Sequence, residues 1–130
     1  MDITKEFGTS IEKEKEGVEV DIGGATLRIA RTGSPEYNRL INKLFTANKR
    51  LLDLKNAAAD ELNEKLMAEV FAKTVLKGWD GIEENGEPLP FTVENAQRLL
   101  MIKDFRALVV EKANDFQLFK AAVEAEVSGN

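Results

Sequence analysis

KGWDGIEENGEPLPFTVENAQRLL, residues 77–100, holds the single Trp of the chain, two of its three Pro and three of its nine Gly. Its reading decides the fold, because it separates two segments of helical periodicity. Gly78 stands where a C′ glycine ends a helix. Trp79 follows with a large surface to bury and an indole N–H to satisfy. Glu84-Asn85-Gly86-Glu87 is a turn signal, since Asn-Gly accepts positive φ. Pro88 and Pro90 hold Leu89 extended, because a residue before Pro avoids the α region. Leu89 and Phe91 then point to opposite sides, and Thr92 caps the next helix with Glu94 in its first turn. The stretch predicts a helix–helix connector pinned by a largely buried Trp79. Its alternative use is as a rigid display loop for a partner.

Upstream, GVEVDIGGATLRIAR alternates apolar and polar residues on both sides of Gly23-Gly24. With those glycines as a two-residue turn, Ile22 faces Ala25, Val20 faces Leu27 and Val18 faces Ile29. The apolar residues share one face, and Glu19 meets Arg28 on the other. A slip by one residue destroys the match. An isolated hairpin is barely stable, so its apolar face must rest on helices or on another subunit. Ser34-Pro35-Glu36 opens a helix as N-cap, N1 and acidic first turn. Leu40, Ile41, Leu44 and Phe45 follow at helical spacing, then Leu51 and Leu52. The pattern loosens around Asn56 to Asp60, and a stripe from Leu62 to Val75 carries on towards Gly78. Residues 35–77 therefore read as one bent helix or as two. A short helix from Thr92 reaches about Met101. Asp104 caps a final helix whose stripe includes Phe105, Leu108, Val109, Phe116, Phe119 and Val123.

The expected architecture is mainly α, a helical domain with one N-terminal β-hairpin at about residues 18–30. Residues 1–16 are polar, with an EKEKE run. They form either a short helix, with Phe7 and Ile11 at i, i+4, or a mobile arm. Residues 17–127 form one helical domain with the hairpin, and residues 128–130 are a small polar tail. A chain of 130 residues suffices for one hydrophobic core.

Chemistry is sought mostly in vain. There is no Cys and no His, which removes thiolate nucleophiles, imidazole acid–base work and nearly all transition-metal sites. Acidic pairs such as Glu83-Glu84 and Asp60-Glu61 lie in hydrophilic surroundings and read as solvated surface. The run from Asp80 to Gly86 lacks the ligand order of a calcium loop. Gly23-Gly24 has no following Lys or helix to make a phosphate loop. We expect no enzyme, no cofactor and no metal. A net charge of −5 and a pI near 4.9 disfavour nucleic acid and anionic membranes. No apolar run approaches a membrane span, and the N-terminus lacks the build of a signal peptide. A cytoplasmic protein is expected. The apolar stripes serve either as core or as grooves for another chain.

The order of features resembles the tail assembly chaperones of long-tailed bacteriophages. GVEVDIGGATLRIAR, the helical region from Pro35, VLKGWDGIEENGEPLPFTVENAQRLL and FRALVVEKANDF carry the resemblance, over roughly residues 16–120. The Gly-Trp, Gly-x-Pro and Thr-x-Glu-Asn portion is its most specific part. The resemblance implies a non-enzymatic chaperone of tail morphogenesis in the host cell cytoplasm. It would hold the tape measure protein, help recruit tail tube subunits and be absent from the finished particle. This chain would be the shorter product of a gene that also gives a frameshifted longer form. The rival expectation is a structural minor tail or connector protein retained in the virion. Candidate partner-binding residues are Trp79, Leu89, Phe91, Phe105, Phe116 and Phe119. Exposed hairpin edges and wide stripes also allow self-association into a dimer or ring.

Overall fold

The N-terminal hairpin forms in the register that its residues dictate. In the computed structural model, which describes residues 1–121, β1 (Val18–Asp21) runs antiparallel to β2 (Thr26–Ile29). Val18 pairs with Ile29, Glu19 with Arg28 and Val20 with Leu27. Gly23 and Gly24 take φ of 82° and 119°, and Ile22 N–H donates to the Ala25 carbonyl at 2.9 Å. The Arg28–Glu19 ion pair closes at 3.1 Å on the outer face.

The hairpin is not the only β-structure, and this corrects the expected mainly helical domain with one hairpin. Residues Leu76–Asp80 form a third strand, β3, on the far side of β2, giving a three-stranded sheet of order β1-β2-β3. Leu27 faces Trp79, Arg28 faces Gly78 and Ile29 faces Leu76, with a bulge between the last two pairs. A second, two-stranded sheet follows: β4 (Glu83–Glu84) against β5 (Glu87–Pro88). Its turn residues, Asn85 and Gly86, have φ of 54° and 82°, the pair of positive values that a tight hairpin turn requires. The 77–100 stretch is therefore sheet in its first half, and Gly78 is a strand residue, not a helix stop.

The physical reason lies in β2. Leu27 and Ile29 are fully buried, and buried backbone on both sides of a strand needs hydrogen-bond partners. A two-stranded hairpin supplies one side only. β3 supplies the other, and the Ala30 N–H extends the arrangement by donating to the Val75 carbonyl at 2.8 Å.

The region read as one or two helices contains three. α1 (Ile3–Phe7) and α2 (Ile11–Glu16) precede the sheet, and α3 (Pro35–Ala47), α4 (Lys49–Leu52) and α5 (Ala57–Thr74) follow β2. Asn48 breaks the path between α3 and α4, its amide donating to the Leu44 carbonyl at 2.7 Å. Lys55 sits at φ 51°, and Asn56 caps α5 by accepting from Ala59 N–H at 2.8 Å. α6 (Val93–Leu99) starts from Thr92 as its pattern requires. α7 (Lys103–Ala113) begins one residue before Asp104 and has no side-chain cap. The final stripe does not stay helical as expected. Asn114 and Asp115 turn the chain, Asp115 accepts from Gln117 N–H at 3.1 Å, and Phe116–Phe119 is a short 3-10 helix. Val123 and the 128–130 tail lie outside the described residues.

The core lies between the three-stranded sheet and α5, α6 and α7, with Leu27, Phe71, Val75, Leu76, Leu100 and Val109 at its centre. The N-terminal segment is tied to the C-terminal one. Ser10 N–H donates to the Phe119 carbonyl at 2.8 Å, and Lys13 Nζ reaches the Lys120 carbonyl at 3.0 Å.

The strand assignment of Gly78 has a measurable consequence. A Cβ at this position would meet only the Arg28 Cβ, at 4.0 Å, and φ is not in the left-handed region. Gly78→Ala is expected to leave stability unchanged or raise it by about 0.4–1 kcal/mol in urea unfolding. A loss of stability of that size would instead indicate a helix-terminating glycine.

Candidate interaction surface

Trp79 is held by three elements. β3 sets it opposite Leu27, its indole Nε1 donates to the Leu89 carbonyl at 2.8 Å, and Phe91 meets its ring edge-on at 4.9 Å and 81°. Three of the six candidate residues, Trp79, Leu89 and Phe91, thus converge, and each is half-buried. Trp79 is less enclosed than expected, because its strand lies at the sheet edge. The β4–β5 hairpin beside it is clamped to α6. Arg98 donates to both Glu84 carboxylate oxygens, at 2.5 and 3.0 Å, and Asn95 Nδ2 donates to the Pro90 carbonyl at 3.0 Å. The Arg98 hydrogen bonds hold the Glu84 carboxyl below its ordinary pKa, and Glu84 raises that of Arg98.

The other three candidates are placed elsewhere. Phe105, on α7, is half-buried against the core. Phe116 stacks on Phe7 at 5.7 Å between centroids. Phe119 is wholly buried, with the Arg31 guanidinium 6.0 Å from its ring centroid. Phe116 and Phe119 dock the N-terminal helices, and Phe119 presents no surface to a partner.

A more open apolar face lies on residues that sequence reasoning assigned to core stripes. α3 is strongly one-sided, and Leu40, Ile41, Leu44 and Phe45 along its apolar side are each half-buried where it packs on α5. α4 buries no residue. Leu51 and Leu54 keep 54% and 62% of their surface exposed. Tyr37, at the start of α3, does reach the core, edge-on to Phe71 at 5.8 Å, and partial burial raises its pKa. From Leu40 onward the α3–α4 segment lies along α5 as an arm, outside the central cluster. Periodicity reported that α3 has an apolar side.

A cleft of about 390 Å³ opens beside the start of α3, lined among others by Glu14, Lys15, Arg31, Ser34, Arg39 and Lys77. The Arg31–Glu14 pair, at 2.5 Å, closes one side of it. Ser34 Oγ accepts the Tyr37 N–H as a helix cap, so that oxygen is already engaged. Among the described residues no group of three or more Asp or Glu is placed to hold a metal ion, and no helix is long and apolar enough to cross a membrane. The Thr32 and Thr74 hydroxyls, which also line the cleft, donate to Asn114 Oδ1 and the Val70 carbonyl.

Comparison with protein families matches residues 32–130 to the YdaY prophage protein family, and the chain belongs to that family. The match begins just after β2 and takes in α3 to α7. Neither curated proteins nor solved structures give a significant match.

The Glu84–Arg98 clamp is testable by acid titration. A depressed carboxylate pKa contributes stability above the unfolded pKa, and that contribution is lost as pH falls through the folded value. The lone Trp79 reports on this hairpin. Its fluorescence is expected to shift below the ordinary carboxylate range, about pH 4, ahead of the loss of far-UV helix signal. Glu84→Gln should remove that early step, and an identical titration of the variant would show that the clamp has no part in it.

Proposed function

We propose that this prophage protein is a non-enzymatic tail assembly chaperone. In this reading it holds the tape measure protein in the host cytoplasm and helps recruit tail tube subunits around it. The observation that carries the reading is the pair of exposed leucines, Leu51 and Leu54, on the α3–α4 segment. Monomeric surfaces rarely leave contiguous apolar area uncovered without a partner for it. A helix laid in an apolar groove or along an apolar face is a common recognition mode, and a long helical chain offers many such segments. Many weak contacts along one long ligand give avidity without a strong single site. Membership of a phage-derived family and the Gly-Trp to Thr-x-Glu-Asn pattern of residues 78–95 support the same reading. The acidic net charge of −5 keeps a loaded assembly soluble.

Co-expression with fragments of a phage tape measure protein tests the proposal. The fragments are expected to shift from the pellet to the soluble fraction and to gain resistance to protease. Unchanged solubility and cleavage at excess chaperone would overturn it. Mass spectrometry of purified particles adds a second reading: stoichiometric copies in mature tails would assign the chain to the virion instead.

A further inference from the structure

The arginines of this chain fall into two groups. Arg28, Arg31, Arg98 and Arg106 each pair with a glutamate, Glu19, Glu14, Glu84 and Glu64 respectively. Arg39 and Arg50, the two on the arm, have no ion-pair partner among the described residues, and neither have Lys43 and Lys55. Lys49 does pair, with Asp53 at 2.6 Å. Residues 35–55 hold five basic against two acidic side chains, in a chain whose net charge is −5. The excess positive charge therefore sits on the same segment as the exposed Leu51 and Leu54.

From this coincidence we propose that the α3–α4 segment is the docking site for an acidic amphipathic helix of the partner chain, its apolar stripe laid on Leu51 and Leu54 and its carboxylates on Arg39, Lys43, Arg50 and Lys55. The proposal rests on the chaperone reading and adds the chemistry of the segment that is held. The apolar contact supplies most of the free energy, and the charges supply orientation and choice of partner. Like-charged rims on two copies of the arm repel each other, which disfavours arm-to-arm pairing and leaves the segment open to a chain of opposite sign.

The test uses the whole protein and synthetic helical peptides of ~18 residues, each with one leucine stripe. One peptide is flanked by Glu and the other by Lys. Fluorescence anisotropy is expected to show the Glu peptide binding, with affinity falling as salt rises, and the Lys peptide binding at least tenfold more weakly, a gap of about 1.4 kcal/mol. R50E/K55E changes only exposed side chains and should reverse the order of the two peptides. L51S/L54S, also exposed, should weaken both. Urea unfolding of each variant confirms that the fold persists. Equal affinity for the two peptides, or no binding of either, overturns the docking proposal. Tape measure fragments separate it from the broader reading. If wild type and R50E/K55E solubilise them equally, the docking proposal falls and the chaperone reading stands. If wild type holds no fragment but still selects the Glu peptide, the chaperone reading falls and the docking chemistry stands.

Discussion

The structure depends on β2 having a strand on each side. Its Leu27 and Ile29 are wholly enclosed, so its backbone cannot turn to water for hydrogen bonds. β1 satisfies one edge through a local turn. β3 satisfies the other, and because only Val75 separates it from α5, pairing β3 with β2 draws the end of that helix across the sheet. Val70, Phe71 and Thr74 are buried there, and Thr74 quiets its own hydroxyl by donating to the Val70 carbonyl at 2.7 Å. Trp79, set by the same strand, then fixes where Leu89 and Phe91 must lie. The helices α6 and α7 close the core from that point.

This dependence explains which parts of the fold were legible. The β1–β2 register could be worked out because every pair in it is local, and a single turn fixes all partners. β3 was not legible in the same way. Thr74-Val75-Leu76 suits the end of a helix or the start of a strand, Gly78 suits a helix stop or a strand facing Arg28, and only the distant partner decides. The β4–β5 hairpin was visible as a turn at Asn85-Gly86, but strands of two residues carry no alternation to read. The end of α7 failed for another reason. Phe116 and Phe119 keep the spacing of the helix, yet Asp115 offers the backbone a competing hydrogen bond just after Asn114, and the helix stops.

The candidate contact residues follow the same logic. Trp79, Leu89 and Phe91 are close in sequence and were found together, because the prolines between them limit where the chain can go. Phe116 and Phe119 were indistinguishable from contact aromatics until their partners were known, and those partners are Phe7 and the Arg31 guanidinium at the other end of the chain. α3 shows the converse case. Its stripe has the same period as a core stripe, and periodicity says which side of a helix is apolar, never what covers that side.

The exposed leucines of the arm are compatible with a stable body because they lie outside the central cluster. Tyr37 against Phe71 is where α3 meets the central cluster, and the residues beyond it pack along α5. Removing water from the arm by binding would therefore add apolar contact without rearranging the sheet. Exposed leucines on a protein at high concentration invite self-aggregation. Here they sit among arginines and lysines, four of which have no ion-pair partner among the described residues, while the β4–β5 hairpin is rich in Glu. In the docking we propose, charge selects the partner before apolar contact commits it, through side chains with no ion-pair partner among the described residues.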